Sequence, residues 1–237
     1  MVSPMSAGKT QVSRILVRSP RMFDLAKRLS RIAGDRSFVY DFLARFAREH
    51  PSCRFLQIGA NDGLVNDPLR EFVIRNRWTG ICVEPVPHVF ARLRKNYSRF
   101  SHVRLENSAI SSEPGTMRFY ATRQSSAHPE GSLLGSFDRS HLIRHGVAHA
   151  DIMETQVPVL TVAGVLAKHG FDGIDLLHVD AEGHEPAIFS GMDFRRVRPA
   201  AILFESRHFA GSRVPQLLES AGYAVRNIDE DSVATLA

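Results

Sequence analysis

The chain has 237 residues, of which 43% are hydrophobic and 23% charged, with a mean hydropathy of -0.14; this suits one soluble globular domain plus an appendage and excludes disordered or fibrous classes. No apolar run approaches the ~20 residues that cross a bilayer, and the opening MVSPMSAGKTQVSRILV lacks the apolar stretch of a secretory signal. The net charge of +5 and pI of about 9.6 raise polyanions as partners, while two cysteines, Cys53 and Cys82, are too few for a disulfide framework and point to a reducing cytoplasm.

The charge is unevenly placed. Residues 1–50 hold ten Lys or Arg against four acids, and the remaining 187 residues hold 20 basic against 21 acidic. A basic helical extension over 1–50 therefore precedes a nearly neutral body over 51–237. In the extension, Ser19-Pro20 signals a helix start, followed by Met22, Leu25, Leu29 and Ile32 at helical spacing. A second run, Phe38, Val39, Phe42, Leu43 and Phe46, stops before Pro51. Packing on the body is the expected use of these helices, with weak contact to a membrane surface as the alternative.

From residue 54 the texture alternates. Apolar runs at 54–58, 80–84, 103–109, 175–180, 200–205 and 223–228 read as strands, and 68–76, 87–97, 162–169 and 214–221 as helices. Thr161 and Gly170 punctuate the third helix. Such alternation predicts an α/β fold with a doubly wound, mostly parallel sheet, whose ligands bind at the carboxyl ends of the strands. After a hairpin strand at 116–121, residues 122–155 are rich in Ser, Gly and His and show no period, so they are expected to form a lid or substrate loop. Its Ser132, Ser136, Arg139 and His141 are candidate acceptor contacts. His141, His145 and His149 recur every four residues and would share a helix face. Trp78, Cys53 and Cys82 read as core.

Three strand ends carry the chemistry. The first runs into Gln57-Ile58-Gly59-Ala60-Asn61-Asp62-Gly63, where glycines allow close backbone approach to a ligand. The second ends in Glu84, 21 residues after Gly63, near the spacing at which a carboxylate accepts both ribose hydroxyls of an adenosine. A full G-x-G-x-x-G is missing because Asn61 stands at a glycine position, which disfavours a nicotinamide dinucleotide. The fourth parallel strand ends in Asp180-Ala181-Glu182-Gly183-His184-Glu185. Asp180, Glu182 and His184 are the candidate proton acceptors there, and capping of the helix expected near Pro186 is the alternative role for the two acids.

The segments Phe55-Leu-Gln-Ile-Gly-Ala-Asn-Asp-Gly63, Val83-Glu-Pro85, Glu106-Asn-Ser-Ala-Ile-Ser111 and Leu177-His-Val-Asp-Ala-Glu-Gly-His-Glu185 together resemble the FkbM family of S-adenosylmethionine-dependent methyltransferases. The resemblance covers about residues 52–228. It implies a class I methyltransferase (Rossmann-like) fold with seven strands, one of them antiparallel, and O-methylation of a hydroxyl on a sugar, glycan or related secondary metabolite. It further implies S-adenosyl-L-methionine as cofactor, with Gly59, Ala60, Asn61, Asp62 and Gly63 lining methionine and ribose, Glu84 on the ribose hydroxyls, and Ser108 and Ala109 beside the adenine. Gln57 and Asp180 complete the expected cofactor set. Many such enzymes carry an acid where Gln57 stands. A divalent cation held by Asp180, Glu182, Glu205 and His208 is the alternative to a proton acceptor. Nucleic acid is not expected as a partner, because no aromatic target-base motif follows the fourth strand. A nucleic-acid methyltransferase, a non-catalytic cofactor-binding scaffold and a nicotinamide oxidoreductase are the competing readings.

Overall fold

The computed structural model describes residues 38–64, 67–123, 134–206, 213–228 and 231–237. The helix expected over 20–32 lies outside them, as do Ser132 and His208. Chain order is α1 (Phe38–Glu49), β1 (Arg54–Ile58), α2 (Arg70–Asn76), β2 (Thr79–Val83), α3 (Pro87–Tyr97), β3 (Val103–Glu106), β4 (Ala109–Ile110), β5 (Gly115–Thr122) and β6 (Gly135–Ser136). There follow α4 (Arg139–Arg144), a 3-10 turn (His149–Asp151), β7 (Ile152–Leu160), α5 (Val162–His169), β8 (Leu176–Val179), α6 (Glu185–Ser190), β9 (Ala201–Glu205), α7 (Val214–Ser220), β10 (Tyr223–Ile228) and β11 (Asp231–Leu236).

Seven strands form the main sheet in the order β10-β11-β9-β8-β1-β2-β3. The pairs among β9, β8, β1, β2 and β3 are parallel, and β11 runs antiparallel between β9 and β10. Strands β1 and β8 are buried on both faces because helices cover both. On one face, Val162, Val165 and Leu166 of α5, Ile188 and Phe189 of α6, and Val214 and Leu218 of α7 pack on Leu56, Leu177 and Ile202. On the other, Val39, Phe42, Leu43 and Phe46 of α1 join Phe72, Leu93 and Trp78 over Phe55 and Leu203. Trp78 and both cysteines are core, as expected. The helical run from Phe38 is also present, with Phe38 itself left exposed. Helix α5 is capped by Thr161, whose Oγ1 accepts the Gly164 N–H at 3.0 Å, and is closed by left-handed Gly170.

Three expectations need correction. The single strand over 103–109 is two strands in different sheets, because the chain turns at Asn107 and Ser108. Strand β11 replaces an unassigned tail. The span 122–155 is not an irregular loop throughout: its described part contains β6, α4, the 3-10 turn and the start of β7. Strand β7 pairs with β5 over eight residues and with β4, building a second sheet, β4-β7-β5-β6, around Val86, Phe119, Val157 and Val159. This small sheet sits at the carboxyl ends of the main one.

Candidate active site

A cleft partly open to solvent lies where the small sheet meets the strand ends. Its floor comes from Ile58, Gly59 and Asn61 after β1, Glu84 to Val86 after β2, Ser108 to Ile110 around β4, and Asp180 to Glu182 after β8. Phe119, Gly135 and Phe137 of the small sheet form the wall above.

The β1 turn is shaped by packing as well as by ligand access. Gly59 has φ +78, and a Cβ there would lie 1.7 Å from the Asp180 carbonyl oxygen. The glycine thus lets β1 and β8 end side by side. Asn61 adopts φ 54, a conformation asparagine tolerates, and its Oδ1 accepts the Asp62 N–H at 2.6 Å. That turn aims the Asn61 N–H at Glu84 Oε2, 3.1 Å away, while Val86 N–H donates to Glu84 Oε1 at 2.8 Å. Glu84 is buried at 6% exposure. Burial pushes its pKa up to about 7 against the pull of those two N–H donors, and Asp62 adds a smaller upward push. Each carboxylate oxygen retains a lone pair for a hydroxyl. Asn107 holds the loop by donating from Nδ2 to the Glu84 and Pro85 carbonyls.

Other members of the expected cofactor set stand off the cleft lining. The Gln57 side chain is wholly enclosed, donating from Nε2 to Asp67 Oδ1 at 3.1 Å and receiving the Cys82 thiol on Oε1. Asp67 also accepts the Leu69 and Arg70 N–H groups, so Gln57 ties β1 to the start of α2. Ala60 is core, and Gly63 faces Tyr97 and Leu93 of α3. Asp62 Oδ1 accepts the Leu64 N–H, which stiffens the turn. By contrast Ser108 and Ala109 are on the cleft lining, and the Ser108 hydroxyl, fully buried, has no hydrogen-bond partner among the described residues. An orphaned hydroxyl on the wall of a cleft is suited to a polar ligand edge.

On the facing side, Glu182 (φ 50) and Gly183 (φ 95) make a left-handed turn. Asp180 keeps contact with solvent. Even so, the enclosing protein, followed by the negative charges of Glu182, Glu205, Glu185 and Asp231, drives its carboxyl well above the usual range. Glu182 Oε2 lies 2.8 Å from His141 Nε2, and Ser136 Oγ donates to the Glu182 carbonyl at 3.0 Å. Strand β6 and helix α4 thereby clasp the turn. His184 is not on the cleft lining: its ring lies tilted against Phe137 with centroids 4.1 Å apart, its Nε2 lies 2.9 Å from Ser111 Oγ, and burial lowers its pKa. Of the three expected proton acceptors, Asp180 and Glu182 line the cleft. Neither caps α6, whose first residue Glu185 instead accepts the Ala181 N–H at 2.7 Å.

The histidine series does not converge. Helix α4 ends at Arg144, His145 stacks on His141, and His149 in the 3-10 turn lies 3.3 Å from Arg139. Phe119, Gly135 and Phe137 of the lining had no distinguishing pattern in the sequence.

The strand order, the single antiparallel β11 and a cleft between the ends of β1, β2 and β8 are those of the class I methyltransferase (Rossmann-like) fold. The sequence profile of the methyltransferase FkbM domain matches residues 57–225, and the chain belongs to the FkbM methyltransferase family. A curated relative, the 31-O-demethyl-FK506 methyltransferase FkbM of Streptomyces tacrolimicus, is 27% identical over 219 aligned residues, covering 81% of this chain and 84% of the relative. Among solved structures, methyltransferase FkbM from Methylobacillus flagellatus is 12% identical with a TM-score of 0.49, covering 78% of this chain and 44% of that one. This chain therefore spans less than half of that structure. Aeropyrum pernix fibrillarin with bound S-adenosyl-L-methionine is 16% identical with a TM-score of 0.42, covering 78% and 66%. Among the described residues, no helix is long and apolar enough to cross a membrane.

Proposed function

We propose that the protein is an O-methyltransferase acting on a hydroxyl of a sugar, glycan or related secondary metabolite. The observation that carries this reading is the pairing of functions across one cleft: Glu84 on one side, with both oxygens on backbone N–H groups, and Asp180 and Glu182 on the other. The O-methyltransferase named among the relatives supports the same acceptor chemistry.

When bound, S-adenosylmethionine supplies an electrophilic methyl on a positively charged sulfur. Glu84 would accept the ribose hydroxyls, and Ser108 would meet the polar edge of the adenine. The acceptor alcohol would give up its hydroxyl proton as it takes the methyl, so the chain must provide a group to hold that proton. A carboxylate near the oxygen takes it, and a raised pKa makes a carboxylate a better acceptor. Asp180 and Glu182 line the cleft and are the proposed acceptors, and of the two it is Asp180 whose carboxyl is raised by burial and neighbouring acids. The rest of the task is alignment in a cleft that Phe119 and Phe137 shield from water.

The test offers the purified chain S-adenosylmethionine and panels of hydroxyl-bearing saccharides and polyketides, with S-adenosylhomocysteine release as the signal. Turnover should fall roughly 100-fold or more in Asp180→Asn or Glu182→Gln. Transfer to nitrogen or nucleic acid instead, or full turnover in both variants, contradicts the reading.

A further inference from the structure

Behind the Asp180 edge of the cleft, three carboxylates meet from three elements. Asp180 follows β8, Glu185 begins α6 and Glu205 ends β9, and one carboxylate oxygen from each lies within 4.8 Å of the others. Glu185 is 1% exposed; its Oε1 takes the Ala181 N–H, and its Oε2 is buried with no hydrogen-bond partner among the described residues. The Asp180 carboxylate makes no hydrogen bond with the described residues. Elsewhere the protein treats an enclosed acid differently: Glu106 receives Lys168 at 2.9 Å and His169 at 2.8 Å, and these partners bring its pKa below the ordinary value despite burial. Glu185 Oε2 has no such partner among the described residues. A buried carboxylate oxygen without a donor is costly unless a cation or proton satisfies it.

We infer that Asp180, Glu185 and Glu205 form a binding site for a hard divalent cation of the Mg2+, Mn2+ or Ca2+ class, at the acceptor side of the cleft. Among the described residues the donor set is all oxygen, which suits these ions. Opposite ligands at metal–oxygen distances of about 2.1–2.6 Å stand roughly 4–5 Å apart, so the observed spread fits one ion. Glu182, expected among the ligands, turns instead to His141. The role of the ion rests on the proposed function: coordination positions facing the cleft would hold the acceptor oxygen and acidify its proton. The ion itself changes no oxidation state.

The experiment titrates the full chain, stripped with chelator and dialysed, with Mn2+ and follows free Mn2+ by electron paramagnetic resonance. S-adenosylhomocysteine binding is measured on the same samples. The expected result is one saturable Mn2+ per chain, displaced by Mg2+ or Ca2+, and weakened roughly tenfold or more in Glu185→Gln and Glu205→Gln, since loss of an outer-shell partner alone typically costs 10- to 100-fold. Glutamine keeps an oxygen for the Ala181 N–H, and unaltered S-adenosylhomocysteine affinity certifies the fold of each variant. Absence of saturable Mn2+ binding into the millimolar range, or wild-type binding in both variants, overturns the site. So does a Glu185→Gln protein that is more heat-stable while no form binds Mn2+, because protons then neutralise the cluster. Failure of the wild-type chain to bind S-adenosylhomocysteine would count against the methyltransferase reading and leave the Mn2+ result intact.

Discussion

Glu84 shows how one residue can oppose stability and serve binding. Burial favours its neutral acid over the pull of two N–H donors, moving its pKa from 4.5 to about 7. The folded chain therefore binds a proton that the unfolded chain releases between those values, and stability falls as pH rises through that window. The shift corresponds to about 3 kcal/mol. Ribose recognition needs the opposite, ionised state, because only a carboxylate accepts both hydroxyl protons. S-adenosylhomocysteine affinity should accordingly rise from pH 6 to 8, whereas Glu84→Gln should bind roughly 10- to 100-fold more weakly at pH 8 and lose the pH dependence. Thermal melts of the ligand-free variant should decline less between pH 5 and 8 than those of the wild type. Calorimetry and melting across pH check both halves. Gly59 makes a second case. Alanine there would meet the Asp180 carbonyl and adopt a left-handed φ, so Gly59→Ala should lose about 3 kcal/mol or more in urea denaturation.

Element by element, the parts recognisable from sequence were those whose environment imposes a pattern. Strands β1, β2, β8 and β9 lie between helical layers and must be apolar on both faces, so they appear as short unbroken runs. Glu84, Asn61, Ser108 and Asp180 were legible because the ends of such strands are where a parallel sheet exposes its functional groups. Strand β7 was hidden by Glu154, Gln156 and Pro158, which alternate with the inward-facing residues on a partly exposed ribbon. Strand β11, Asp-Ser-Val-Ala-Thr-Leu, acquires its place from pairing with both β9 and β10. The Ser136 and His141 contacts to Glu182 join residues 46 and 41 positions apart, and no local periodicity encodes such a clasp. Helix α1 was legible as an amphipathic run, but its partners were not. Phe46 is 5% exposed and meets Trp78 edge-on at 6.2 Å, in a cluster shared with the sheet. Phe46→Ala should cost about 3–5 kcal/mol in a denaturant midpoint experiment; a loss under 1 kcal/mol would mean that α1 is not part of the core.

Over the whole molecule, the seven-stranded sheet provides a rigid base and the small sheet β4-β7-β5-β6 turns its strand ends into a cleft. Charge follows the same division: the excess of basic residues lies in 1–50, and the body that builds the cleft is close to neutral. The cleft pairs backbone-held Glu84 on one side with Asp180 and Glu182 on the other, and in the proposed function cofactor capture and proton handling are separate tasks in that one space. That separation is the centre of the account. Isothermal calorimetry of the full chain with S-adenosylhomocysteine and, separately, NAD+ tests it most directly. The account predicts one S-adenosylhomocysteine per chain, strongly weakened by Glu84→Gln and little changed by Glu182→Gln, with no NAD+ binding. Binding of NAD+ in its place, or S-adenosylhomocysteine affinity indifferent to Glu84→Gln, would contradict it.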